Sequence, residues 1–125
     1  MADLDLSLFQ VVLNEVQSDL PGFTHDVQQV TFTATMKNGS ILDAAGVELA
    51  VAAAANSVMV IDDLSIRNLD GDIEVGDTVD ISVAKRGVVY NEDVTVFTDA
   101  DIDAAGKTAL EAFNNKFAKV VPATL

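Results

Sequence analysis

Residues 79–97 read VDISVAKRGVVYNEDVTVF, and their pattern sets the fold class. Apolar and polar residues alternate up to Ala84, the alternation stops at Lys85-Arg86-Gly87, and it resumes as far as Phe97. A period of two is the mark of a strand with one face against a core. The stretch therefore predicts two strands joined by a basic turn, a hairpin.

The same rhythm spreads outward from this hairpin. Val30, Phe32, Ala34 and Met36 face one way and Thr31, Thr33 and Thr35 the other, which predicts a half-buried strand over 30–36. Asn38-Gly39 predicts a tight turn, because both residue types accept positive φ, with Ile41-Leu42 beginning the return strand. Val47, Leu49 and Val51 alternate like a strand before the run Ala52–Ala55, which reads as a small-residue turn or short helix. SVMVIDD predicts a short strand ended by acids, and Asp70-Gly71 and Gly76-Asp77 mark turns between short β segments.

Past Phe97 the period changes. Thr98 is a candidate cap, Asp99 and Asp101 suit the positive end of a helix dipole, and Ile102, Ala105, Ala109, Phe113 and Phe117 recur at steps of three and four. A helix with that stripe facing the core is expected, then a closing strand at Val120-Val121. The N-terminus admits two readings. Phe9, Leu13, Val16 and Leu20 fall at helical spacing, so a helix over 7–19 is the first; DLDLSLF also alternates, so an extended arm bearing Leu4, Leu6 and Leu8 is the second. The organisation expected is an arm or helix over 1–20 and one β-rich domain over 21–125. Its class is α+β and β-dominated, a small mixed β-sheet or barrel-like domain with a C-terminal helix.

Composition bounds the function. A chain of 125 residues, half of them hydrophobic, is large enough for one domain with its own core. There is no cysteine, which removes disulfides, thiolate metal sites and cysteine nucleophiles together. No apolar run reaches the roughly 20 residues a membrane span needs, and the acidic start does not resemble a secretory signal, so a product of the cytoplasm is expected. The formal charge of −13 argues against nucleic acid and against anionic membranes, since both depend on clustered Lys and Arg. That charge is uneven: residues 1–80 hold fourteen acids against Lys37 and Arg67 alone.

The chemical motifs tested fail. His25 stands in a polar segment with no nucleophile motif and reads as a surface residue. Asp99, Asp101 and Asp103 open like a calcium loop, but Ala104 stands where the sharp-turn glycine belongs and Leu110 where the closing glutamate belongs. Gly71 and Gly76 form no phosphate loop. No catalytic, cofactor or metal residue is assigned, and a non-enzyme is expected.

The strand ending in Val83, the turn with Lys85 and Gly87, the continuation through Val88, Asn91, Asp93, Val94 and Val96, the Ala-rich helix ending in FNNKF and the terminal AKVV form an ordered set over residues 79–121. This set resembles the C-terminal half of the lambda-like tailed-phage head decoration proteins, with a looser likeness over 40–78. The resemblance implies a virion protein that binds the capsid exterior, cements neighbouring capsid subunits and forms trimers on local three-fold axes. The implied partner is the major capsid protein, with no cofactor, nucleic acid or membrane. Candidate contacts with the capsid or a neighbouring subunit are Lys85, Arg86, Tyr90 and Asn91 from the motif, and Leu4, Leu6, Leu8 and Phe9 from the start, where that family carries a polar arm. The alternatives are another phage structural module of tail or head fibre and, from a different class, a small enzyme or calcium-binding domain.

Overall fold

A computed structural model describes residues 10–15, 24–68 and 71–120. Among the described residues seven strands form two sheets: β1 (Val12–Glu15), β6 (Val88–Asn91) and β7 (Lys116–Ala118) in the order β1-β6-β7, and β2 (His25–Thr31), β3 (Ile41–Leu42), β4 (Met59–Ile61) and β5 (Thr78–Ala84) in the order β2-β5-β4-β3. One α-helix, α1 (Ala104–Glu111), and 3₁₀ turns at Val51–Asn56 and Leu64–Arg67 complete the described elements. The β-dominated α+β class is thus the observed one.

In the larger sheet β3, β4 and the end of β5 are buried on both faces, and successive residues show it. Val60 and Ala84 join Ile41, Val88, Tyr90, Phe97 and Leu110 in one core, while their neighbours Ile61 and Val83 join Val30, Leu42, Met59, Ile66 and Ile81 in another. Side chains along a strand point alternately to opposite faces, so one sheet serves both cores. The first core lies toward the smaller sheet and α1. The second is closed by the connections that carry Met36, Phe32 and Ile66.

The opening stretch contains both strands expected of it, yet they are not partners. β5 pairs with β2 and β4, whereas β6 pairs with β1 and β7. Lys85-Arg86-Gly87 is a crossover between sheets and not a hairpin tip. Gly87 has φ +70°, the left-handed conformation a side chain disfavours, and that lets the chain swing away from β2. Tyr90 then reaches back, its hydroxyl donating to the Ala84 carbonyl at 2.9 Å.

Other expectations shift. The helix over 7–19 is replaced, where described, by strand β1 from Val12 to Glu15; residues 1–9 and 16–23 lie outside the described residues. The strand expected at 30–36 runs earlier, from His25 to Thr31, and the chain then turns through Ala34-Thr35. Ile41-Leu42 is a strand, but it pairs with β4. Val51–Asn56 is a 3₁₀ turn, with Glu48 making only an isolated bridge to Leu42.

Helix α1 is capped by Asp103, whose Oδ1 accepts from the Gly106 N–H at 2.8 Å, and not by Thr98. Its buried residues are Gly106 and Leu110; Ala105 is exposed, and so is Phe113, at 41%. The reason is contact. A Cβ on Gly106 would lie 2.8 Å from the Phe97 ring and 3.0 Å from Ile102, so the helix packs closest where it has no side chain. The last described strand is Lys116–Ala118, starting four residues before the expected Val120-Val121, and Val121 lies outside the described residues.

Candidate functional site

Two of the eight candidate residues, Lys85 and Arg86, form the crossover, and Tyr90 bonds to its start from β6. Lys85 and Arg86 follow β5 directly, and both reach Asp26 on the adjacent strand: Nζ of Lys85 is 3.2 Å and Nη2 of Arg86 is 3.1 Å from Asp26 Oδ2. The Arg86 hydrogen bond, with Lys85 beside it, outweighs the effect of burial and holds the Asp26 carboxyl below its ordinary value. The backbone is pinned as well, because the N–H groups of Lys85 and Arg86 donate to the Thr24 carbonyl at 2.9 and 3.4 Å. The basic pair is thus partly exposed, its charge shared with an acid of its own chain.

Tyr90 and Asn91 sit in the interior, both 0% exposed. The Tyr90 ring lies 5.4 Å from that of Phe117 on the parallel neighbour β7. Burial, with the Asp62 charge as a smaller contribution, pushes its phenol well above the ordinary range. Asn91 accepts from the Asp93 N–H at 3.1 Å, and its carbonyl accepts from the Thr95 hydroxyl at 2.8 Å, which shapes the turn after β6. The Tyr90 side chain thus supports the basic turn from within, and that of Asn91 holds the turn after β6. Leu4, Leu6, Leu8 and Phe9 lie outside the described residues.

Asn115 is a residue that sequence reasoning missed. It is 4% exposed, accepts from the Val88 N–H at 3.2 Å, and donates from Nδ2 to the carbonyls of Lys85 and Leu110 at 2.9 Å each. One amide therefore joins the start of β6, the basic turn and the end of α1. The FNNKF stretch that carries it marks the helix end, and the signal in it is an asparagine pair after a helix. Asn114 beside it has φ +63°, a left-handed conformation that asparagine tolerates better than most residues.

A second ion-pair group braces the far side. Lys107 Nζ lies 2.7 Å from Glu92 Oε2 and Lys119 Nζ 3.6 Å from Oε1, with the Lys107 hydrogen bond foremost in holding the Glu92 carboxyl below its ordinary value. These contacts tie α1 to the β6 turn and to the segment after β7.

His25 is half-buried and stands between Thr24 Oγ1 at Nδ1 and Asp62 Oδ2 at Nε2, each 2.8 Å away. The connectivity is that of a hydroxyl, a base and a carboxylate, but the Thr24 residue is buried at 8% exposure and adjoins His25 in sequence, so the line ties β2 to the end of β4. Asp99 accepts from the Val51 N–H at 2.9 Å, and Asp103 caps α1, which occupies two of the three carboxylates of the calcium-like run in local structure. Among the described residues no three His, Cys, Asp or Glu side chains converge as metal ligands, and no buried side-chain polar atom lacks a partner. A shallow groove of about 570 Å³ between α1 and the 3₁₀ turn is lined by Ala45, Ala55, Val58, Ala109 and Phe113, with Asp43 as its one charged group. No helix of the described residues is long and apolar enough to cross a membrane.

Compared with known proteins, residues 1–124 match the family model described as bacteriophage PhiTE minor capsid decoration protein. The chain belongs to that family. No curated protein and no solved structure matches it. Membership makes it a phage capsid decoration protein, a structural component that associates with the capsid and so belongs to the virion. The head-decoration resemblance carried by the stretch around Lys85 and Asn91 thus pointed to a capsid decoration protein, and the match extends over residues 40–78, where the likeness was loose, and over the residues before them, where none was drawn.

Proposed function

We propose that this protein binds the outer surface of the capsid and cements neighbouring capsid subunits, acting as a trimer on local three-fold axes and without catalysis. Membership in a capsid decoration family over residues 1–124 is the observation that carries this reading. The chemistry of the described residues supports it: the polar clusters are spent on capping, bracing and crossing between sheets. Cyclic symmetry lets one modest contact act three times, which raises avidity without a large interface per copy.

Two segments are offered as the grip. The first is the basic turn, where Lys85 and Arg86 remain partly exposed and can exchange their contact with Asp26 for acids of the shell. The second is the Leu-rich start, whose apolar side chains would order on a partner, since a few side chains alone do not offset about 1 to 2 kcal/mol of backbone entropy per residue.

Adding the purified chain to undecorated capsids tests the function. Saturable binding at a fixed ratio to the major capsid protein, with a raised temperature of shell disruption, is expected. Binding that leaves that temperature unchanged would remove the cementing role, and absence of binding would remove the capsid exterior as its site.

A further inference from the structure

A helix on the surface of a domain usually turns charged side chains away from the core it packs on. Helix α1 does not. Its buried residues are Gly106 and Leu110, and at 3.6 residues per turn its two charged residues, Lys107 and Glu111, fall about 160° round the helix from Ala109. The arc that runs from Phe113 through Ala109, Ala105, Ala112 and Thr108 to Ala104 carries no charge. In a chain of formal charge −13, about half the girth of this helix is exposed or half-buried and neutral.

The surface beside the arc is of the same kind. The groove of about 570 Å³ continues it across Ala45, Ala55 and Val58, and the one acid there, Asp43, is engaged by its own loop: its Oδ1 accepts from the N–H groups of Ala45 and Val47 at 2.9 and 3.0 Å. A second hollow of about 410 Å³ adjoins the first and is lined by Ala55, Ala104, Ala105, Thr108 and Ala109. One large apolar side chain stands at the other end of the helix, Phe113, 41% exposed. The face thus holds a projecting ring and an alanine hollow about two turns apart, the two parts that a self-complementary surface needs. Its ends differ in charge as well. Asp99, Asp101 and Asp103 lead into α1, and beyond its far end Lys116 is exposed and makes no ion pair among the described residues.

We propose that the alanine face of α1 is a contact between two copies of this chain, their helices packed antiparallel about a two-fold axis beside Ala109. In that arrangement Phe113 of each copy lies over the Ala104-Ala105 start of the other helix, and the acids leading into each helix approach the Lys116 of the other copy. Copies of so acidic a chain repel across most faces, and here neutral surface meets neutral surface with opposite charges at its ends. Small side chains let two helices approach to about 8 Å between axes, and antiparallel packing opposes their dipoles. Two helices of eight residues cover less than the roughly 1,200 to 2,000 Å² that specific, stable complexes bury, so the free chain associates weakly. On a shell that holds copies close together the same contact tightens and would join one proposed trimer to the next; in that point alone the inference rests on capsid binding.

Sedimentation equilibrium of the purified chain tests the contact without a capsid. The weight-average mass of the wild type is expected to rise with concentration. Ala109→Glu sets a carboxylate against apolar surface and is expected to weaken association by about tenfold or more, with circular dichroism unchanged; Lys116→Glu is expected to weaken it less. The chain has no cysteine, so Ala109→Cys supplies a single reporter that keeps a small side chain and decides the matter even where Ala109→Glu unfolds. Beside the axis the two Cα atoms fall within the roughly 4.4 to 6.8 Å that a disulfide bridges, and mild oxidation is expected to yield disulfide dimers. Val75→Cys, exposed in a turn, is expected to yield none. A wild-type mass that stays that of one copy at every concentration, an unchanged mass for Ala109→Glu, or no dimers from Ala109→Cys above the Val75→Cys level would each overturn the contact. Failure of the wild type to bind capsids would strike the capsid-binding reading and leave this contact standing.

Discussion

Asn115 offers the sharpest test of how the domain holds its basic turn. Replacing it with Ala removes three hydrogen bonds at once; the Leu110 carbonyl keeps the Phe113 N–H at 3.1 Å, but the Val88 N–H and the Lys85 carbonyl must find other partners. A typical bond contributes about 1 kcal/mol net, and a buried group left unpaired costs about 1 to 3 kcal/mol. The Lys85 carbonyl is near the surface and can take water, so the expected loss is about 3 to 5 kcal/mol, not the sum of three full penalties. Urea unfolding followed by circular dichroism reads it directly. With a slope of about 2 kcal/mol per molar, the midpoint should fall by about 2 M with the slope unchanged. Asn115→Asp should fare no better, because a carboxylate can accept from Val88 but cannot donate to two carbonyls. A loss below about 1 kcal/mol for Asn115→Ala would show that this amide does not bind the crossover to α1 and β6.

Tyr90→Phe keeps the ring against Phe117 but removes the bond to Ala84, so a loss of about 1 to 2 kcal/mol with unaltered capsid occupancy is expected; reduced occupancy at equal stability would return Tyr90 to the surface. Stability should be flat near neutrality and fall at both ends of the pH scale. Asp26 and Glu92 have depressed values, so what they add is full above their ordinary 3.8 and 4.5 and is lost as pH falls through the lower folded values. The Tyr90 value is raised, so its share is full below 10 and fades as pH rises beyond it; thermal unfolding scanned across pH checks both limbs. Changing Lys85 and Arg86 together to Ala should weaken capsid occupancy and its dependence on salt, whereas equal occupancy at every ionic strength would leave the turn a structural device. Deleting residues 2–9 should barely move thermal unfolding but lower binding to capsids, and a truncated chain that binds as well as the full one would remove that segment as a grip.

The sequence made strands legible but not their partners. Alternation on both sides of Lys85-Arg86-Gly87 announced β5 and β6, yet it carries no information on which sheet each joins. That choice rests on Gly87, Tyr90 and Asn115 acting together across the fold. The helix was legible and its buried face was not. Hydrophobic periodicity counts side chains, and α1 packs through Gly106, which has none, so the stripe drawn through Ala105 and Ala109 was set one residue off. At the N-terminus Leu13 and its neighbours fit a helical period, but pairing of Val12, Asn14 and Glu15 with β6 overrides that local preference. The basic pair was visible as a feature; its engagement with Asp26, far away in sequence, was not.

Imaging the intact phage head by electron microscopy, with this chain located in the density, tests the central claim most directly. The account predicts ordered copies of the domain on the outside of the shell, in threes about local three-fold axes, each set touching more than one capsid subunit. Copies seated within a single capsid subunit, found only in the tail, or absent from the particle would contradict it.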